Sequence, residues 1–181
     1  MSTALREPWT VERFLAWEDK QEGKHEFDGR RIIAITGESR AHQIIVHNLQ
    51  RLLEDLLDLE RFEVLAEMRL AYGGWVRYPD VLVCPGPLPD ATRTLRDAVV
   101  AFEVLSGDTA RTDRETKRLE YAAVPSLRRY ILIEQTRRAA LVLERAAEGW
   151  VEMPVVAGAI PLPELGIELP LEAIYRRVRF A

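Results

Sequence analysis

Two acidic residues stand inside stretches that otherwise have the pattern of buried strands. Asp80 follows Pro79 in VRYPDVLVC (residues 76–84), and Glu103 interrupts the apolar run AVVAFEVLSG (residues 98–107). Because burial of an unpaired carboxylate is costly, we expect the two acids to share a compensating partner, and a metal ion is one candidate. The structural alternatives are a strand-end or turn role for Asp80 and a buried salt bridge with an arginine for Glu103.

A lysine in the next predicted helix could complete this set. Lys117 lies in TARTDRETKRLEYAAV (residues 109–124), and helical spacing puts Asp113 and Tyr121 on the same face. Carboxylate oxygens suit magnesium or manganese, and a nearby lysine can stabilise charge on a phosphoryl oxygen. The alternative for Lys117 is a surface ion pair with Asp113. The chain has no Walker-type loop, no GxGxxG and no Ser–His–Asp pattern.

Hydrophobic periodicity predicts the elements that must position these residues. Apolar spacing indicates helices, and alternating or continuous apolar runs indicate strands. The predicted elements, in chain order, are a helix capped by Thr10 (10–23), a hairpin turning at Asp28-Gly29 (24–35), a long amphipathic helix (40–59), three strands (62–72, 76–84 and 98–106), a helix ending before Pro125 (109–124), a buried strand (127–135), a peripheral hairpin (139–156) and a short C-terminal strand and helix (164–178). This order predicts a mixed α/β (α+β) fold.

Length and composition describe an ordinary globular protein. The chain has 181 residues, of which 48% are hydrophobic and 30% are charged. Its single cysteine, Cys84, excludes an intrachain disulfide and a cysteine-rich zinc site, and predicts a cytoplasmic location. We see no signal peptide and no apolar run long enough for a membrane span. The formal net charge of −4 does not indicate a strongly basic nucleic-acid-coating surface, although metal ions could bridge acidic residues to phosphate.

Several of these segments together resemble the Uma-two (Uma2) family of endonucleases, which belongs to the PD-(D/E)XK, or restriction-endonuclease-like, superfamily. The resemblance lies in RYPDVLV, AFEVLSGDTARTDRETKRLEYAAV and RRYILIEQ, and TVERFLAWEDKQEGKHEFDGRRI and LPELGIELPLEAIY extend it over almost the whole chain. It implies one restriction-endonuclease-like domain over residues 1–181. This domain would have a central mixed β-sheet flanked by helices, with a peripheral β-hairpin.

The resemblance also implies roles for individual residues. Asp80 and Glu103 match the metal-binding acids, which implies magnesium or manganese as cofactor. Leu105 stands where the superfamily pattern has a lysine, and Lys117 matches the lysine that the family supplies from the next helix. Glu26, in KHEF, matches an acid that could help to hold the metal; its alternative is a solvated hairpin charge.

Two further residues are predicted to support this site. Tyr121 could form a hydrogen bond within it, and His42 matches a family position; the alternative for His42 is a cap or packing residue. The implied function is metal-dependent hydrolysis of phosphodiester bonds in DNA, with homodimerisation common in this class and no membrane partner. RTLRD (93–97) and TARTDRETKR (109–118) are the candidate phosphate contacts. The rival hypothesis is a non-catalytic module on the same fold that binds nucleic acid or protein.

Overall fold

The structure, a computed structural model, describes residues 8–106 and 113–180. The helices in these ranges are α1 (Val11–Glu18), α2 (Arg40–Leu56), α3 (Arg118–Ala122) and α4 (Leu171–Ile174), and a π-helical turn (Asp113–Lys117) leads directly into α3. The strands are β1 (His25–Phe27), β2 (Ile32–Ala34), β3 (Phe62–Ala66), β4 (Arg69–Tyr72), β5 (Trp75–Arg77), β6 (Val81–Pro85), β7 (Thr94–Leu95), β8 (Val100–Leu105), β9 (Arg129–Glu134), β10 (Ala140–Ala146), β11 (Gly149–Val155), β12 (Ala159–Leu162) and β13 (Ile167–Pro170).

A six-stranded mixed sheet forms the centre of the fold. Its strand order is β11-β10-β9-β8-β6-β3, in which β8 and β9 are parallel and the other neighbours are antiparallel. Every residue of β8 is buried, as its continuous apolar pattern predicted. Helix α2 covers one face of this sheet through Ile45, Leu49 and Leu53. The predicted central mixed sheet and its peripheral hairpin, β10 and β11, are therefore confirmed.

The opposite face of the central sheet is covered by α3 and by a second sheet. This five-stranded sheet has the order β2-β1-β5-β4-β7. Trp75 from β5, Tyr121 from α3 and Tyr130 from β9 pack in one buried cluster between these layers. The second sheet was not predicted, and it adds to the helices that flank the central sheet. It matters for the site because it brings β1 and β5 against the central sheet.

Two of the predicted strands are each two strands in different sheets. Residues 62–72 divide at Glu67, whose φ of 49° lies in the left-handed region, into β3 and β4. Residues 76–84 divide at Tyr78–Asp80 into β5 and β6, because Pro79 has no N–H to continue a ladder. The Glu67 N–H donates to the Asp80 carbonyl over 3.1 Å, so the two points at which the chain passes from one sheet to the other lie side by side.

Most other predicted elements are present. Thr10 caps α1, and β1 and β2 form the hairpin around Gly29, which has a φ of 87°. Leu56, at the end of the amphipathic helix α2, is 45% exposed. Residues 109–112 of the predicted site helix lie outside the described residues, and β12, the partner of β13, was not predicted. Across the described ranges, none of the helices has the length and apolar character needed to cross a membrane.

Candidate active site

Glu103 faces the second sheet because of its position in β8. Successive strand residues point to opposite faces, so Phe102 and Val104 pack on the α2 side, while Ala101 and Leu105 pack on the other. Glu103 therefore points with Ala101 and Leu105 toward the elements that cover this second face. It is only 4% exposed.

Lys117 and Tyr121 both reach Glu103. The Lys117 ammonium donates to Glu103 Oε1 over 2.8 Å, and the Tyr121 hydroxyl donates to the same oxygen over 2.9 Å. Lys117 is 5% exposed, so it does not lie at the surface as the alternative considered from the sequence requires. Burial raises the pKa of Tyr121 well above its ordinary value, and the charge of Glu103 adds to that rise. Tyr121 therefore remains a hydrogen-bond donor, and Lys117 and Tyr121 both compensate the buried charge of Glu103.

Asp80 lies directly before β6 and lines the same cavity as Glu103. The following residue, Val81, pairs with Phe102 across the two strands. Asp80 Oδ2 accepts a hydrogen bond from the Val104 N–H over 2.6 Å and lies 3.2 Å from His42 Nε2. Asp80 Oδ1 accepts no hydrogen bond from the part of the chain that the structure describes. The Val104 contact is the strand-end role considered from the sequence, and it leaves one oxygen of Asp80 available to a ligand.

His42 reaches Asp80 from the first turn of α2, whose N-terminus Ser39 caps. Its burial disfavours the charged ring, but the hydrogen bond and the negative charge of Asp80 outweigh this effect and raise the pKa of His42 above its ordinary value. Among the described residues, His42 Nδ1 has no hydrogen-bond partner. The contact with Asp80 shows that His42 is more than a packing residue and can hold the orientation of that carboxylate.

Glu26 completes the group from β1. It lies 3.3 Å from the Lys117 ammonium through Oε1, which also accepts a hydrogen bond from the Tyr78 N–H over 3.3 Å. Its other oxygen accepts from Arg77 Nη1 over 3.0 Å. Glu26 is 9% exposed, so the solvated hairpin charge considered from the sequence is wrong.

Sequence reasoning missed Arg77 and Glu120. Arg77, in β5, is fully buried and forms two hydrogen bonds of 2.7 Å to the Glu120 carboxylate, besides its contact with Glu26. The available signal was an arginine inside a predicted buried strand, two residues before Pro79. A buried base needs a partner for the same reason as a buried acid.

A cavity of about 130 Å³ joins the predicted residues. Four carboxylates, those of Glu26, Glu38, Asp80 and Glu103, line it together with the Lys117 ammonium, and Glu38 was not predicted. His42 also lines the cavity, whereas Tyr121 acts from behind Glu103. This excess of negative charge favours a divalent cation. No residue of the first candidate phosphate segment, 93–97, lines this cavity. In the second candidate segment, 109–118, residues 109–112 lie outside the described residues.

The donor set fits a hard cation only in part. Asp80 and Glu103 offer carboxylate oxygens from adjacent strands, which suit magnesium or manganese. Within the described ranges, however, no three His, Cys, Asp or Glu side chains are arranged as a metal-binding group. The Lys117 ammonium lies between Glu26 and Glu103 and contacts both. Among the acids that line the cavity, Asp80 and Glu103 are therefore the candidate metal ligands.

Three comparisons with known proteins bear on the family and the fold of the chain. A model of the Uma2 family, described as "Putative restriction endonuclease", matches residues 11–173. An uncharacterized protein of Synechocystis sp. is 29% identical over 175 residues (93% of this chain and 92% of the relative), and a second is 30% identical over 145 residues (75% and 80%). A crystal structure of a putative nuclease belonging to DUF820 from Anabaena variabilis superposes with a TM-score of 0.79 at 16% identity, covering 93% of this chain and 98% of that one. This likeness confirms the predicted fold class.

Proposed function

Because this chain belongs to the Uma2 family, whose description is "Putative restriction endonuclease", we propose that it hydrolyses phosphodiester bonds in DNA with the help of a divalent metal ion. The observation that supports the proposal is the meeting of Asp80, Glu103 and Lys117 at one cavity. These residues come from two strands and a helical turn that are far apart in sequence. Two adjacent carboxylates and an ammonium are the groups that metal-assisted phosphodiester hydrolysis needs.

Asp80 and Glu103 would hold the magnesium or manganese ion. When bound, such an ion lowers the pKa of a coordinated water and offsets negative charge on the phosphate. The Val104 N–H and His42 hold Asp80 through Oδ2, while Tyr121 holds Glu103 through Oε1. These contacts keep the two carboxylates oriented before any ligand arrives. The role of Glu26 as a supporting metal ligand remains a prediction.

Lys117 supplies the positive charge of the site. Its ammonium is held by Glu103 and Glu26 at the wall of the cavity, where it can orient a water molecule or stabilise an oxygen that gains charge. Because Lys117 is almost fully buried, solvent weakens its field much less than it would at the surface. Lys117 therefore acts on the reacting phosphate directly, whereas Tyr121 and His42 act through the carboxylates.

The test is cleavage of supercoiled plasmid DNA. We expect nicking with magnesium or manganese, little turnover with calcium, and none with excess chelator. Asp80→Ala should abolish cleavage, and Lys117→Met should slow it about 100-fold, since removal of one preorganised donor costs about 3 kcal/mol. Asp55→Ala is the matched control, because Asp55 is 65% exposed on α2 and lines no part of the cavity. Its activity should equal that of the parent.

Calorimetry with magnesium and manganese separates the nuclease from the rival, a non-catalytic binding module. The parent and Lys117→Met should bind the metal, and Asp80→Ala should not. A parent protein that binds no divalent ion and cuts no nucleic acid would leave the binding module as the better hypothesis. Homodimerisation, the single-domain organisation of residues 1–181 and a cytoplasmic location stay predictions.

A further inference from the structure

We propose that Arg77 is a positioning residue that holds Lys117 at the cavity through Glu26 and Glu120. Arg77 itself does not line the cavity, so it is not a catalytic residue. The catalytic consequence of this role rests on the function proposed above. The positioning itself rests on contacts that are independent of that function.

Arg77 fixes two separate elements that flank Lys117. Its Nε and Nη2 each donate to one Glu120 oxygen over 2.7 Å, and its Nη1 donates to Glu26 over 3.0 Å. Glu120 lies three residues after Lys117, so this fork anchors the helical segment that bears the lysine. Glu26 is itself an ion-pair partner of Lys117. Arg77 thus determines both where the backbone of Lys117 lies and where one of its acceptors lies.

The charges along this group alternate. Acids and bases follow one another in a line of contacts, each within 3.3 Å of the next: Glu120, Arg77, Glu26, Lys117 and Glu103. Arg77 is required for this order, because without it Glu120 would lose its ion pair and Glu26 would keep only Lys117 as its ion-pair partner among the described residues. Lys117 would then be drawn away from Glu103. A planar guanidinium suits the task because it can serve two carboxylates at once, which a lysine ammonium does less well.

The neighbouring strand provides a matched control. Arg69, in β4, is also buried and also pairs with two acids, Glu18 over 2.7 Å and Asp19 over 2.9 Å. It does not line the candidate cavity and contacts neither Glu26 nor Lys117. Loss of Arg69 should therefore affect stability in a similar way to loss of Arg77, without moving Lys117.

The first experiment measures the position of Lys117 without any nuclease assay. The chain contains three lysines, and Lys20 and Lys24 are exposed, so acetylation followed by mass spectrometry reports each one separately. In the folded parent, Lys117 should react far more slowly than Lys20. Arg77→Met should raise the Lys117 rate about tenfold or more, since local opening exposes it, and Arg69→Met should not. Glu120→Gln, which keeps the shape of the side chain, should raise the rate in the same direction.

The second experiment measures cleavage in a double-mutant cycle. Arg77→Met should lower kcat about 10- to 100-fold at saturating DNA and magnesium, the usual range for a residue that supports a reacting group. In a Lys117→Met background, the same Arg77→Met change should cause little further loss, because the group that Arg77 positions is gone. Arg77→Lys should recover part of the activity, and Arg69→Met should stay near the parent value.

The outcomes separate the two proposals. If Lys117 stays protected in both Arg77→Met and Glu120→Gln, the positioning role is wrong, whether or not the parent cuts DNA. An equally large loss of kcat from Arg77→Met with and without Lys117 would also overturn it. If the parent cuts no DNA while Lys117 becomes reactive in both variants, the positioning role stands and the nuclease proposal fails. If Arg77→Met does not fold, Glu120→Gln decides the question.

Discussion

Replacing Lys117 by methionine should destabilise the protein, because two buried carboxylates share its ammonium as an ion-pair partner. Its ammonium lies 2.8 Å from Glu103 and 3.3 Å from Glu26, and the exposed fraction of each of the three residues is below 10%. Methionine keeps most of the side-chain volume, so the change removes the charge and leaves the packing nearly intact. The two carboxylates would then lose their common cation.

The size of the expected loss of stability depends on the hydrogen-bond donors that each carboxylate retains. Removing one partner of a buried ion pair costs about 3–5 kcal/mol. Glu26 retains Arg77 and the Tyr78 N–H, and Glu103 retains the Tyr121 hydroxyl, so the lower end applies. We expect a loss of about 3 kcal/mol in the free energy of unfolding. In a chain of this length, this corresponds to a fall of about 6–12 °C in Tm.

Urea unfolding followed by tryptophan fluorescence measures this loss, in buffer with a chelator at pH 8. Lys20→Met is the control, and its free energy of unfolding should stay within about 0.5 kcal/mol of the parent. The Lys117→Met/Glu103→Gln double variant should recover much of the loss, because a neutral amide needs no cation and its oxygen can still accept from Tyr121. A loss below about 1 kcal/mol for Lys117→Met would refute a buried ionic role for Lys117.

Two other predictions concern parts of the fold outside the cavity. Burial raises the pKa of the Cys84 thiol to about 12, and the charges of Glu63 and Asp97 add to this rise. A disulfide reagent at pH 8 should therefore label Cys84 only as fast as the protein unfolds. Rapid labelling of the folded protein would contradict this expectation. Arg145 donates to four backbone carbonyls at and after the end of α3, so Arg145→Met should cost about 2 kcal/mol in a thermal or urea melt, and an unchanged melt would show that these carbonyls are solvated.

The sequence was most informative where polar residues interrupt apolar patterns. Glu103 within an apolar run predicted a buried carboxylate that needs compensation, and the structure shows it 4% exposed with Lys117 and Tyr121 as donors. Helical spacing correctly put Lys117 and Tyr121 on one face. These inferences succeed because the cost of burying a charge is a local property that one residue and its neighbours reveal.

The assignment of strands to sheets could not be obtained in this way. Residues 62–72 alternate with period two across Glu67, so nothing in the pattern shows that β3 and β4 belong to different sheets. Sheet membership depends on pairing with distant segments, as when β4 pairs with β5 and β3 pairs with β6. For the same reason Arg77 was missed, since its partners Glu26 and Glu120 are 51 and 43 residues away in sequence.

The link between β5 and β6 explains why a buried strand opens with Pro79 and Asp80. The chain leaves the second sheet at Arg77 and enters the central sheet at Val81, with three residues between them. Arg77 and the Tyr78 N–H hold Glu26, and Asp80 accepts from Val104 on β8. Pro79 lies between these contacts and ends the hydrogen-bond ladder of the second sheet, so the residues on either side of it contact different sheets. Four consecutive residues, 77–80, therefore join the half of the site that positions Lys117 to the half that would hold a metal.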